Sequence, residues 1–176
     1  MHPLLVSGAA LAIYLIGWIP LAALLVYVLE ASGSLGWEAS AAIVVPACLV
    51  YAFVCLSPWY VVRMTPLRSG SFARILATNF GAAIGGSIFL LAIARATAVL
   101  LSRFALFPYG ILDESVDQRF RPHAPLVFGM GVLLYLLSAG MHYAMASVEE
   151  SKEALNREMQ ALVAARDAEL KALKAQ

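Results

Sequence analysis

From Ala124 to Ser147 the chain reads APLVFGMGVLLYLLSAGMHYAMAS, and from Val148 to Gln176 it reads VEESKEALNREMQALVAARDAELKALKAQ. The first stretch carries no charged residue and is long enough to cross a bilayer. The second is mostly Ala, Glu, Lys, Arg and Leu, the residues that cost least in a helix. No Gly or Pro separates the two after Gly140, so the spacing predicts one helix that leaves the membrane and continues into water. At the helical rise such a rod would be on the order of 80 Å long, more than twice the thickness of a bilayer core.

The rest of the composition agrees with a membrane setting. Of 176 residues 62% are hydrophobic and 13% charged, with a mean hydropathy of +0.82; soluble domains carry roughly one-quarter charged residues. The net charge of +1 offers no basic stripe to displace phosphate counterions, which excludes nucleic acid as a partner. The N-terminus, MHPLLVSGAALAIYLIGWIPLAALLVYV, has no basic n-region and is apolar for too long to be a cleaved signal peptide, so it is expected to remain as a span. Cys48 and Cys55 stand seven apart on one helix face, roughly 10 Å between Cα atoms, too far to form a disulfide and without the company a metal site needs.

Four spans are expected, at about 3–29, 39–62, 73–101 and 124–147, forming a transmembrane domain over 1–147. A cytoplasmic signalling and dimerisation helix follows over 148–176. The fold class is all-α: a four-span bundle whose last span continues into a coiled coil. Pro20 is expected to kink the first span. Orientation follows from the short connections, because basic residues there resist translocation. Arg63, Arg68 and Arg74 lie between spans two and three with no acid among them, whereas Glu30–Glu38 has no basic residue and Pro108–His123 sets Arg119 and Arg121 against Asp113, Glu114 and Asp117. Both termini are therefore expected in the cytoplasm of a multi-pass inner-membrane protein. The five acids before Ser147 all fall in the other two connections, which removes the intramembrane carboxylates that proton relays and cation carriers use.

Within the spans Arg95 is the sharpest polar signal. It follows twenty uncharged residues, Ile75–Ala94, which would bring it to the membrane boundary. There it either snorkels into the headgroups or pairs with an outer acid such as Asp113, Glu114 or Asp117, or with an anionic ligand. His142 falls near the end of the fourth span, as a hydrogen-bonded interfacial side chain or a pH-sensing one. His2, His123 and His142 are expected at different depths or sides, so no haem, metal or other cofactor is expected. Ala77, Gly81 and Gly85 make a small-residue stripe suited to close helix packing, within the bundle or between protomers. In the tail, Val148, Lys152, Leu155, Met159, Val163, Arg166, Leu170 and Leu173 step by threes and fours, the spacing of a coiled-coil seam, with a stutter at Leu155, Met159 and Val163.

The tail ending AARDAELKALKAQ, preceded by GVLLYLLSAGMHYA and SVEESKEA, resembles the linker of LytS-type bacterial sensor histidine kinases. The opening HPLL and the stretch LVYAFVCLSPWYVVR are similar to the multi-span N-terminal region of such kinases. In that family a run like Glu169–Gln176 leads into the phosphoacceptor motif and then an ATP-binding domain. No histidine here stands in a phosphoacceptor context and no nucleotide site is present, so the chain itself is expected to catalyse nothing. The resemblance implies a signal-input and dimerisation module in the lipid bilayer, a homodimer that addresses a histidine kinase domain and through it a response regulator. The alternative from the residues alone is a membrane anchor or scaffold whose cytoplasmic helix recruits a partner. A carrier or membrane enzyme ranks last, for want of a nucleophile with a base or of inverted halves.

Overall fold

The computed structural model describes residues 8–33, 35–64, 72–104 and 115–174. They form helices α1 (Gly8–Ala31), α2 (Trp37–Val54), α3 (Pro58–Met64), α4 (Phe72–Arg103) and α5 (Val116–Phe120), a 3-10 turn (Arg121–His123), and α6 (Ala124–Lys174). No strand occurs among the described residues. Four helical stretches, Gly8–Ala31, Trp37–Met64, Ala73–Arg103 and Val116–Arg166, are long and apolar enough to cross a membrane. The chain divides into two compact units, Met1–Ala139 and Gly140–Gln176.

Helices lying side by side meet along rows of every third or fourth residue. In α2 two adjacent rows are buried, Ala39, Ile43, Ala47 and Tyr51 beside Ser40, Val44, Cys48 and Ala52, making it the most enclosed element. The packed face of α4 is Ile75, Asn79, Ala83, Ser87, Leu90, Ala94 and Ala98, and that of α6 in the first unit is Val127, Tyr135 and Ala139. The opposite faces are just as apolar: Ile13, Ile16, Phe80, Ile84, Leu133 and Leu137 are all exposed. Such a surface suits hydrocarbon surroundings. Since lipid is as apolar as leucine, close packing and hydrogen bonds have to hold the helices together.

One tight point joins α4 and α6. A Cβ placed on Gly131 would lie 2.8 Å from the Ser87 hydroxyl, so any larger residue there forces its neighbours to shift. Beside it, a Cβ on Gly86 would meet Val54 at 3.2 Å. The stripe singled out in the sequence lies elsewhere on α4. Ala77, Gly81 and Gly85 are exposed, and added Cβ atoms on Gly81 and Gly85 would touch nothing within 4 Å. Packing inside the bundle uses the row through Ala83 and Ser87 instead.

The structure adds detail to two of the expected segments. The second span, expected at about 39–62, corresponds to Trp37–Met64 and carries an interruption, because the helix ends at Val54 and restarts at Pro58. Proline has no N–H and clashes with the preceding turn, and the break falls just before it. By contrast α1 runs through Pro20 and α2 through Pro46. The connection expected over Pro108–His123 is ordered helix from Val116 onward. There Ser115 caps α5: its hydroxyl accepts from the Gln118 N–H and the Gln118 side chain accepts from the Ser115 N–H. Between α1 and α2, Gly33 takes a positive φ of 78° and its N–H reaches the Glu30 carbonyl at 2.8 Å, a turn that suits glycine.

Candidate functional site

Two polar places stand out in the first unit, at opposite ends of the spans. The first is the break between α2 and α3. In an unbroken helix the Leu56 N–H would bond the Ala52 carbonyl, and the Trp59 N–H would bond that of Cys55. Here Leu56 N donates to Phe53 O and Trp59 N to Leu56 O. Both orphaned carbonyls accept hydroxyls from other helices. Tyr14 of α1 donates to Ala52 O at 2.7 Å, and Ser138 of α6 donates to Cys55 O at 2.6 Å. Broken backbone at membrane depth persists only where such partners replace water. Around this point Tyr51 donates to Gly131 O at 2.7 Å and Ser57 meets the Tyr135 hydroxyl at 3.3 Å. Edge-to-face contacts Tyr14–Trp18 and Trp18–Tyr51, each 6.2 Å between centroids, complete the cluster. Three bonds (Tyr51–Gly131, Ser57–Tyr135 and Ser138–Cys55) therefore fix α6 to the break. Every group in them is neutral, so their exchange costs less than breaking an ion pair would.

The second place is a charge cluster where α4 ends and α5 begins. Ser102 donates to Ala98 O at 2.8 Å and accepts from the Asp117 N–H at 3.0 Å, which ties the first turn of α5 to α4. Asp117 is thereby held with its carboxylate largely buried, its side chain 14% exposed. One oxygen takes Arg121 through Nε at 3.2 Å and Nη2 at 3.1 Å, and the other faces Arg95 Nε at 3.6 Å, an ion-pair distance too long for a hydrogen bond. The Arg95 side chain remains 58% exposed, so Asp117 covers only part of it. On the same end, the buried His123 contacts Arg119 O through Nδ1 at 3.1 Å and the Ser32 hydroxyl through Nε2, and Ser32 also donates to Leu29 O. The turn after α1 is thus clasped to the turn before α6.

Of the residues singled out from the sequence, Arg95 and Asp117 come together. Arg68, Asp113, Glu114 and His2 lie outside the described residues. His142 is half-buried on α6, in the second unit. The tail side chains Val148, Leu155, Met159, Val163 and Leu173 are all more than half exposed, and Lys152 and Arg166 are exposed too, while the side chain of Leu170 lies outside the described residues. Cys48 and Cys55 are buried free thiols. Among the described residues no three His, Cys, Asp or Glu side chains gather as a metal site would need.

Sequence reading missed Tyr14, Tyr51, Ser102 and Ser138. Only Ser102–Asp117 had a local clue, since the pattern Ser115-x-x-Gln118 announces a helix start that brings Asp117 into a first turn. Comparison of the chain with protein-family models, with curated proteins and with solved structures finds no match in any of the three.

Proposed function

We propose that the chain is the membrane signal-input and dimerisation module of a LytS-type sensor histidine kinase, set in the bacterial inner membrane with both termini in the cytoplasm. It relays a change in helix packing to a downstream kinase domain and, through that domain, to a response regulator. The observation that supports this reading is the single uninterrupted helix α6. Its early turns are bonded to the α2–α3 break, and its later turns present an apolar row that nothing in the described chain covers. A row of more than half-exposed Leu155, Met159 and Val163 in water calls for a partner helix. A second copy in parallel would supply it as a coiled coil, with Lys152 and Arg166 loosening the seam. Two packings of that pair differing by a few kcal/mol suffice for a switch.

The test is disulfide crosslinking in membranes with single cysteines from Ser147 to Lys174, on a background with Cys48 and Cys55 replaced by alanine. Crosslinking that peaks along Leu155, Met159, Val163, Leu170 and Leu173 is the expected result. A flat pattern would remove the parallel dimer and leave an anchor that recruits a different partner.

A further inference from the structure

Helix α4 rises about 48 Å over its 32 residues, close to the 40–45 Å of a bilayer with its headgroups. With Arg74 near one surface and Arg103 at the other, Arg95 lies about 12 Å in from Arg103, about 5 Å inside the hydrocarbon core, from which its long side chain reaches back to the headgroups. Along this last third of α4 runs an open groove of about 730 Å³, lined by Ile88, Leu91, Ala92, Arg95, Val99 and Arg103 among others. A second hollow of about 350 Å³ adjoins it through Leu91 and Arg95 and reaches Arg121 and Phe120. The floor below Arg95 is wholly apolar. At and above Arg95 stand the guanidiniums, with Asp117 the only carboxylate bonded to them among the described residues.

From this arrangement we propose that the groove is a binding site for an anionic phospholipid, its acyl chain along Ile88, Leu91 and Ala92 and its phosphate between Arg95 and Arg103. The charge balance favours that occupant. Asp117 is already held by Arg121 through two nitrogens, and it meets Arg95 only through Nε, which leaves both Nη groups of Arg95 for phosphate oxygens. Arg103 forms no ion pair with any described residue. A guanidinium pair whose side chains reach headgroup depth recognises phosphate through paired N–H groups, whereas a zwitterionic lipid brings its own cation and gains less. The apolar floor adds a requirement for a chain, so a soluble phosphate meets only half of the site. This assignment is independent of whether the protein serves a kinase.

The full chain in lipid nanodiscs is labelled with phosphatidylglycerol or phosphatidylcholine carrying a photoreactive group in the acyl chain. Expected are preferential labelling of the 88–103 segment by phosphatidylglycerol and an about tenfold loss of that preference in the Arg95→Gln, Arg103→Gln double variant, the size of losing charge-assisted hydrogen bonds. Phosphatidylcholine labelling should not change, which reports that the variant is folded. Arg103→Gln alone breaks no ion pair within the described chain and should still lower the preference. Asp117→Asn, which removes the competing carboxylate, should raise it. Equal labelling by the two lipids in the wild type overturns the proposal, as does an unchanged preference in both arginine variants. Displacement of the lipid by millimolar glycerol phosphate would make this a soluble-anion site, and a disulfide between two copies carrying a single cysteine at Ala92 would make it a protein interface; either result overturns it.

Discussion

Gly131 shows how little room the helix contact leaves. Its missing Cβ would lie 2.8 Å from the Ser87 hydroxyl and 3.1 Å from Leu90. That hydroxyl cannot swing aside freely, because it donates to Ala83 O at 2.7 Å. Gly131→Ala should therefore destabilise the bundle by about 1–3 kcal/mol, the usual cost of forcing a methyl into a packed interior, read as a lower unfolding midpoint in detergent. Gly85→Ala, with open space around it, should leave that midpoint unchanged or slightly raised. Equal losses at both sites would show that the contact is drawn in the wrong place. The two rows on α4, one through Gly81 and Gly85 and one through Ala83 and Ser87, are both small and both flanked by apolar residues. In a soluble protein polar residues would mark the outer row; in lipid that mark is missing, so sequence periodicity finds two faces and cannot rank them. At Tyr51 the reasoning is simpler. Tyr51→Phe deletes the donor to Gly131 O and should cost about 1 kcal/mol, and a loss near zero would mean that bond holds nothing.

Among the elements, the α2–α3 break was half legible. Pro58 announces an interruption in any helical reading, and Trp59 and Tyr60 with Arg63, whose guanidinium sits 4.3 Å over the Trp59 ring, announce an interface. What the sequence withholds is who receives the freed carbonyls, since Tyr14 and Ser138 come from 38 and 83 residues away. Such partners are set by which helices are neighbours, and four spans of similar apolarity can be arranged in several ways. The charge cluster divides similarly: Arg95 was conspicuous as a cation after twenty uncharged residues, but its meeting with Asp117 needed the Ser115 cap and the Ser102 tether. The latch carries its own prediction. Ser138→Ala leaves Cys55 O without its hydroxyl donor at membrane depth and should lower stability by about 1–2 kcal/mol. Amide exchange should rise at Leu56 and Trp59, the two N–H groups re-aimed at the break. Faster exchange spread evenly over α2 would instead indicate a general loosening, with no special role for this bond.

For the whole molecule, the number and polarity of the spans were plain in the sequence, because twenty-residue apolar runs need no tertiary information. Sidedness has to be argued from charge. Only basic residues near the span ends count, so the acids opposite Arg119 and Arg121 do not cancel them. One side then holds Arg63, Arg68 and Arg74 together with Lys152 and Arg157 from the start of the tail, and the other holds Arg95, Arg103, Arg119 and Arg121. The second group is weakened because Arg95 lies on a span and is drawn toward the headgroups with Asp117, where it hinders translocation less than a loop arginine does. The balance thus favours the tail and the Arg63 connection in the cytoplasm. In intact cells a membrane-impermeant maleimide should label a cysteine at Glu38, which is exposed beside the α1–α2 turn, and should fail to label one at Lys171 until the membrane is opened. Replacing Arg63, Arg68 and Arg74 with glutamine leaves Lys152 and Arg157 against Arg103, Arg119 and Arg121, which tips the balance the other way and should turn part of the population over, so that Lys171 becomes labelled from outside. Labelling of Lys171 from outside in the unaltered protein would reverse the orientation, and a kinase domain joined to the tail would then lie on the wrong side of the membrane to reach ATP.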